Sequence, residues 1–178
     1  MECIMGVGIL KRYIVEFDYD APRVRLHDRT AYRPPAAAQR IPLIFRTNPN
    51  VPFVQIGVTF ADGTRRTAQV VADTGTSHYA AVFVPPFVQS VRGQILKTAL
   101  PPERPDSSRP GLRFVASRLA AVSVGPFTVP DPIVALIETG LDGGGIDDGT
   151  LGSGFFRRFT SAFDFEGRSM YLEPNSHL

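Results

Sequence analysis

The sequence predicts an all-β fold with one or two short helices. Sixteen Pro and sixteen Gly are spread through 178 residues, so the chain turns often. Stretches with a helical period are few, whereas short apolar or alternating runs recur between turn signals. Hydrophobic residues make up 43% and charged residues 20%, the balance of a globular chain large enough to bury a core.

Taken in order, a glycine-bearing turn at Gly6 leads into one or two turns of helix, Gly8–Tyr13. A strand follows at Ile14–Tyr19, then a turn at Asp20-Ala21-Pro22 and a strand at Arg23–His27. Residues 29–40 contain Pro34-Pro35 and Ala36-Ala37-Ala38 and read as a stiff, extended linker. Ile41–Phe45 reads as a strand. Pro52–Phe60 alternates around Phe53, Ile56, Val58 and Phe60, Asp62-Gly63 is a hairpin signal, and Arg65–Ala72 returns as the second strand. Val82–Val91 carries a short helix entered through Pro85-Pro86, since proline suits the first helical turn. Leu112–Val124 and Phe127–Ala135 read as two strands joined at Gly125-Pro126. Leu141–Gly149 holds Asp142, Asp147 and Asp148 but lacks the alternating ligands and distal Glu of a calcium loop, so it reads as solvated.

The chain also repeats itself. Gly6–Leu26 aligns without a gap on Gly152–Leu172, an offset of 146 residues, and six of the 21 positions are identical: Gly6, Gly8, Arg12, Phe17, Asp18 and Leu26. Such a match reads as an internal duplication. It predicts three parts: residues 1–28 as the C-terminal remnant of a preceding lobe, 29–40 as a linker, and 41–178 as a complete lobe. On this reading the counterpart of Asp73 lies upstream of Met1.

Several function classes are disfavoured. Net charge is +2 and the basic residues are dispersed, so no nucleic-acid partner is expected. Cys3 is the sole cysteine, and His27, His78 and His177 are isolated and read as surface or turn residues. Neither a disulfide nor a metal site is expected, and no cofactor is implied. No apolar run is long enough to span a membrane, and the first residues do not form a signal peptide. Ser77-His78 are adjacent and no G-x-S-x-G is present, which leaves little for a serine hydrolase.

The chemistry lies in two blocks. Val70-Val71-Ala72 ends in Asp73-Thr74-Gly75-Thr76, and some 75 residues later comes Asp148-Gly149-Thr150-Leu151-Gly152-Ser153-Gly154-Phe155-Phe156. Together they resemble the retropepsin-like aspartic proteases, of pepsin and retroviral kind. The stretches Ala162–Phe165 and Tyr171–Pro174 resemble bacterial members in particular. Thr150 departs from the aliphatic residue usual before the Leu-Gly.

The resemblance implies an acid-protease-like β-barrel lobe and assigns four catalytic-loop residues. Asp73 would be one carboxylate of a dyad, and Thr74 would brace the two facing loops. Gly75 would present its backbone N–H to the carboxylate, while Thr76 would orient the outer oxygen. The stretch 98–111 falls at the position of the substrate-covering flap, although its composition equally suits a plain surface loop. The implied partners are a peptide or protein substrate and a second D-T/S-G lobe, from upstream sequence or from a homodimer. The alternative is a non-catalytic peptide-binding module on the same fold. Compartment stays open, with a periplasmic or secreted location expected if a signal peptide lies upstream.

Overall fold

A computed structural model describes residues 5–76, 78–95, 98–100, 111–140 and 147–178. In chain order the elements are α1 (Val7–Arg12), β1 (Ile14–Asp18), β2 (Arg23–His27), β3 (Gln39–Pro42), β4 (Phe53–Thr59), β5 (Arg65–Ala72), β6 (Ala81–Phe83), α2 (Pro85–Ile95), β7 (Arg113–Arg118), β8 (Ala121–Val124), β9 (Phe127–Pro130), β10 (Ile133–Thr139), β11 (Gly149–Leu151), α3 (Ser153–Phe156), β12 (Phe159–Asp164) and β13 (Ser169–Pro174). The fold class is all-β, as the turn density and short runs predict. The chain divides into two compact units. One holds residues up to Val54 together with Phe156–Leu178, and the other holds Gln55–Phe155.

The first unit is built on a five-stranded sheet in the order β2-β1-β12-β13-β3. Its central pairing joins the two copies of the repeat. β1 runs antiparallel to β12 with Glu16 opposite Ala162, and Ala162 is the residue 146 positions on from Glu16. The repeat therefore meets itself about a local two-fold axis at that pair. Phe17 and its counterpart Phe163 pack edge to face across the axis, ring centres 5.9 Å apart. Local bonds recur as well. Ile9 N–H donates to Gly6 O at 3.1 Å and Phe155 N–H to Gly152 O at 3.0 Å. Asp18 Oδ1 accepts from Ala21 N–H at 3.0 Å and Asp164 Oδ1 from Gly167 N–H at 2.8 Å, closing the same turn in each copy. Val15, Phe159, Phe163, Met170 and Leu172 are buried in this unit. Glu16 is buried too, bonded by Arg25 and within 3.1 Å of His27 Nε2.

The second unit is built on an eight-stranded sheet in the order β7-β10-β6-β11-β5-β4-β8-β9. Phe60, Val70, Phe83, Val122, Leu136 and Leu151 are fully buried, each contributing about 1.5–3 kcal/mol relative to exposure. The Asp62-Gly63 turn forms as expected, with Thr64 N–H on Asp62 Oδ1 at 2.9 Å.

Several expectations need correction. Leu112–Val124 is not one strand: it breaks between β7, which pairs with β10, and β8, which pairs with β4 and β9. Phe127–Ala135 likewise breaks into β9 and β10. The break falls at Asp131-Pro132, where Asp131 has φ 46° and Pro132 has no N–H to offer a ladder. The strand expected at Ile41–Phe45 is shifted to Gln39–Pro42, so the linker ends in β structure; Ile44 only bridges Phe53. His27 is a half-buried strand residue facing Glu16 rather than a surface or turn residue.

Candidate active site

β5 ends at Ala72, so Asp73 leaves the sheet at the end of a strand whose Val70 is fully buried. The Asp73 N–H donates to Leu151 O at 3.0 Å, tying the loop to β11. Within the loop, Gly75 N–H donates to Asp73 Oδ1 at 2.9 Å and Thr76 Oγ1 donates to Asp73 Oδ2 at 2.5 Å. Thr76 N–H closes the turn on Asp73 O at 3.3 Å. Both carboxylate oxygens are thus held by neighbours within three residues, which fixes the carboxylate plane. Asp73, Thr74 and Thr76 are half-buried and Gly75 is exposed, so the loop is braced from behind and open in front.

The bracing comes from β11 and the start of α3. β11 lies between β5 and β6, parallel to the first and antiparallel to the second, with Leu151 opposite both Ala72 and Ala81. Beyond it, Ser153 N–H donates to Thr76 O at 3.1 Å, Gly152 N–H to Ala80 O at 3.0 Å and Gly154 N–H to Tyr79 O at 3.1 Å. Two glycines make this approach possible. A Cβ on Gly154 would sit 2.2 Å from His78 O, and one on Gly149 would sit 2.0 Å from Val82 O. Gly149 also has φ 146°, a conformation other residues rarely adopt.

Asp73, Thr74, Gly75 and Thr76 therefore occupy one loop, and the second block of the motif lies directly against it. The role of Asp148 departs from expectation. It is half-buried, not a solvated loop residue: Oδ2 accepts from Gln69 N–H at 2.7 Å, Asp148 N–H donates to Gln69 O at 3.2 Å, and Asp148 O accepts from Val84 N–H at 3.1 Å. Asp148 staples the start of β11 to β5 and to the residue after β6, and Ser153 ties the Asp73 loop to α3. Neither role has a sequence signal, since both act through strands some 80 residues away. Asp142, Ser77, Cys3 and residues 101–110 of the expected flap lie outside the described residues. Just ahead of that stretch, Leu100 N–H donates to Ala116 O at 2.8 Å. Among the described residues no group of three His, Cys, Asp or Glu could hold a metal ion, and no helix is long and apolar enough to cross a membrane.

No protein-family model and no curated protein matches the sequence. Among solved structures, the chain is similar to a retropepsin-like aspartic protease from Rickettsia conorii. The TM-score is 0.52 at 18% identity, over 79% of this chain and 95% of that one. The fold is accordingly that of an aspartic protease-like lobe.

Proposed function

We propose that this chain is an aspartic endopeptidase lobe, with Asp73 as one of two catalytic carboxylates. The observation that carries the reading is the Asp73 loop itself, in which Gly75 N–H and the Thr76 hydroxyl hold the two carboxylate oxygens at 2.9 and 2.5 Å. A second D-T/S-G loop completes the site. Two carboxylates held this close share one proton and titrate as a pair. The ionised member takes a proton from a bound water, whose oxygen attacks the peptide carbonyl carbon. The protonated member gives its proton to the carbonyl oxygen. The carboxyl that took the water's proton gives it to the amide nitrogen, and one hydroxyl of the resulting diol returns its proton to the other carboxylate. The C–N bond then breaks to release acid and amine. Thr74 would brace the facing loop.

The sheet of the first unit supports a fused partner lobe over a homodimer. The edge of β12 that a symmetric second copy would use is already paired with β1. The three-part division into residues 1–28, 29–40 and 41–178 belongs to the same proposal. Peptide hydrolysis by the protein at about pH 4–6, the working range of a proton-sharing pair, tests it. Asp73→Asn should abolish cleavage, a loss of about 10³-fold or more, without lowering thermal stability. Cleavage that survives Asp73→Asn overturns the proposal. Peptide binding that is unchanged by Asp73→Ala and never followed by cleavage replaces it with the non-catalytic peptide-binding module.

A further inference from the structure

The segment between β2 and β3 does more than connect them. It starts at one edge of the five-stranded sheet and ends at the other. On the way Arg29 bonds Asp164, and the Tyr32 ring packs against His27 and Tyr171. Between this strap and β1-β2 lies a cavity of about 330 Å³, within the size range of small-ligand sites. Its most buried lining residue is Glu16, 6% exposed, whose charge is met by Arg25 and whose Oε2 lies 3.1 Å from His27 Nε2. The second copy of the repeat has Ala162, Tyr171 and Glu173 where the first has Glu16, Arg25 and His27. The hairpin therefore folds without this polar set, which belongs to the cavity side alone.

Two opposite charges on the strap are left over. The Thr30 hydroxyl and N–H donate to Asp28 Oδ1 at 2.6 and 2.8 Å. These bonds, the hydroxyl's first, hold the Asp28 carboxyl below its ordinary range, so it is ionised at neutral pH. Arg33 Nη1 donates to Thr30 O at 3.0 Å and Tyr32 O at 2.8 Å. Both residues line the cavity, yet among the described residues neither forms an ion pair, with the other or with any third group. The remaining lining, Ala31, Tyr32 and Pro35, is largely apolar.

We propose that this cavity binds a free amino acid with an apolar side chain, its ammonium on Asp28, its carboxylate on the Arg33 guanidinium and its side chain against Tyr32 and Pro35. Opposite charges that share a cavity without pairing are complementary to a zwitterion. A plain cation would meet Arg33 and a plain anion would meet Asp28, so the site selects against both. Charge-assisted bonds at the two ends fix the ligand's orientation. Glu16 has acceptor capacity beyond its two bonds and serves the ammonium's remaining hydrogens. No lining residue belongs to the Asp73 loop, so the proposal stands apart from the catalytic reading.

NMR titration of the 178-residue protein with L-leucine, N-acetyl-L-leucine and L-leucinamide tests it, read on the Ala31 amide and the His27 ring. L-Leucine should give saturable shifts with a Kd on the order of 1 mM or tighter. Each blocked form lacks one charge and should bind about 10-fold more weakly or worse. Asp28→Asn keeps the oxygen that Thr30 bonds and removes the charge. It should weaken L-leucine by about 10-fold and abolish the preference over N-acetyl-L-leucine, while the preference over L-leucinamide persists. Arg33→Gln should do the converse, abolishing only the preference over L-leucinamide. A role confined to holding the strap would not produce this crossed pattern. The proposal is overturned by no saturable shift at about 20 mM L-leucine, by either blocked form binding as well as L-leucine, or by variants that keep both preferences. The wild-type comparison decides the matter even where a variant fails to fold.

Discussion

Gly6–Leu26 and Gly152–Leu172 share six of 21 residues at one fixed offset, and they sit in two different environments. Each folds into a glycine turn, a short helix and a two-stranded hairpin, and each closes the hairpin with the same aspartate-to-amide bond. Yet Leu172 is fully buried and Leu26 is about half exposed. Local sequence therefore specifies the supersecondary unit in both copies, whereas what covers the unit decides how much each side chain contributes to stability. The identical residue pairs turn this into an internal control, because one substitution can be made twice.

The largest contrast is expected at Leu26 and Leu172. Leu172→Ala deletes fully buried side-chain atoms and should cost about 2–5 kcal/mol. Leu26→Ala in the 178-residue chain should cost less than about 0.5 kcal/mol. Urea unfolding of the two variants measures both. Equal costs would mean that β2 is covered in the isolated chain.

Gly8 and Gly154 form the next pair. A Cβ at Gly8 meets nothing within 4 Å, but at Gly154 it meets His78 O at 2.2 Å. Gly8→Ala lies inside α1 and should stabilise by up to about 1 kcal/mol. Gly154→Ala must push the backbone at His78–Ala80 away and should destabilise by about 1–3 kcal/mol. On the proposed function it should also lower cleavage, since the same backbone holds the loop of Asp73. Thermal melts separate the signs, and a Gly154→Ala variant as stable as wild type would show that the two segments separate without cost.

How far these features can be read from the sequence follows from the range of the interactions that set them. β2 and β5 match their expected spans residue for residue, because alternation and flanking turns are local signals. The repeat is visible for the same reason, and so is the cluster of Asp73, Thr74, Gly75 and Thr76. β11 is a different case. It is three residues long, begins at a glycine with φ 146°, and exists because β5 and β6 lie on either side of it. Nothing within Gly149–Leu151 announces a strand. The break between β7 and β8 is also tertiary, since the chain changes sheet partners there. Asp148 looks like one more acid in a loop until Gln69 is brought to it.

Thr150 extends the comparison by one position. The first copy has Ile4 at the matching place, while the buried Oγ1 of Thr150 has no hydrogen-bond partner among the described residues. An unmet buried hydroxyl costs about 1–3 kcal/mol. Thr150→Val, which keeps the shape and removes the hydroxyl, should therefore stabilise the protein by about 1 kcal/mol. Loss of stability in this variant would place a water or an undescribed group on that oxygen.

The smallest expected effect concerns a residue that touches both copies. The Tyr32 ring lies 4.9 Å from His27 of β2 and 5.7 Å from Tyr171 of β13. Its hydroxyl is pushed up from the ordinary 10.0 to about 12, first by burial and then by the nearby charges of Glu16, Tyr171 and Glu173. Because the folded state holds this proton more tightly than the unfolded state does, the contribution to stability is complete below pH 10 and declines as pH rises toward 12. Tyr32 is only partly buried, so solvent screening keeps the decline shallower than the ~1.4 kcal/mol per pH unit of a single fully coupled proton. Subtracting the stability profile of Tyr32→Phe from that of wild type removes the background from the other tyrosines and the lysines. The difference should be flat to pH 10 and slope downward above it. A flat difference throughout would mean that the ring is solvated, and that the two copies are not joined through Tyr32 in solution.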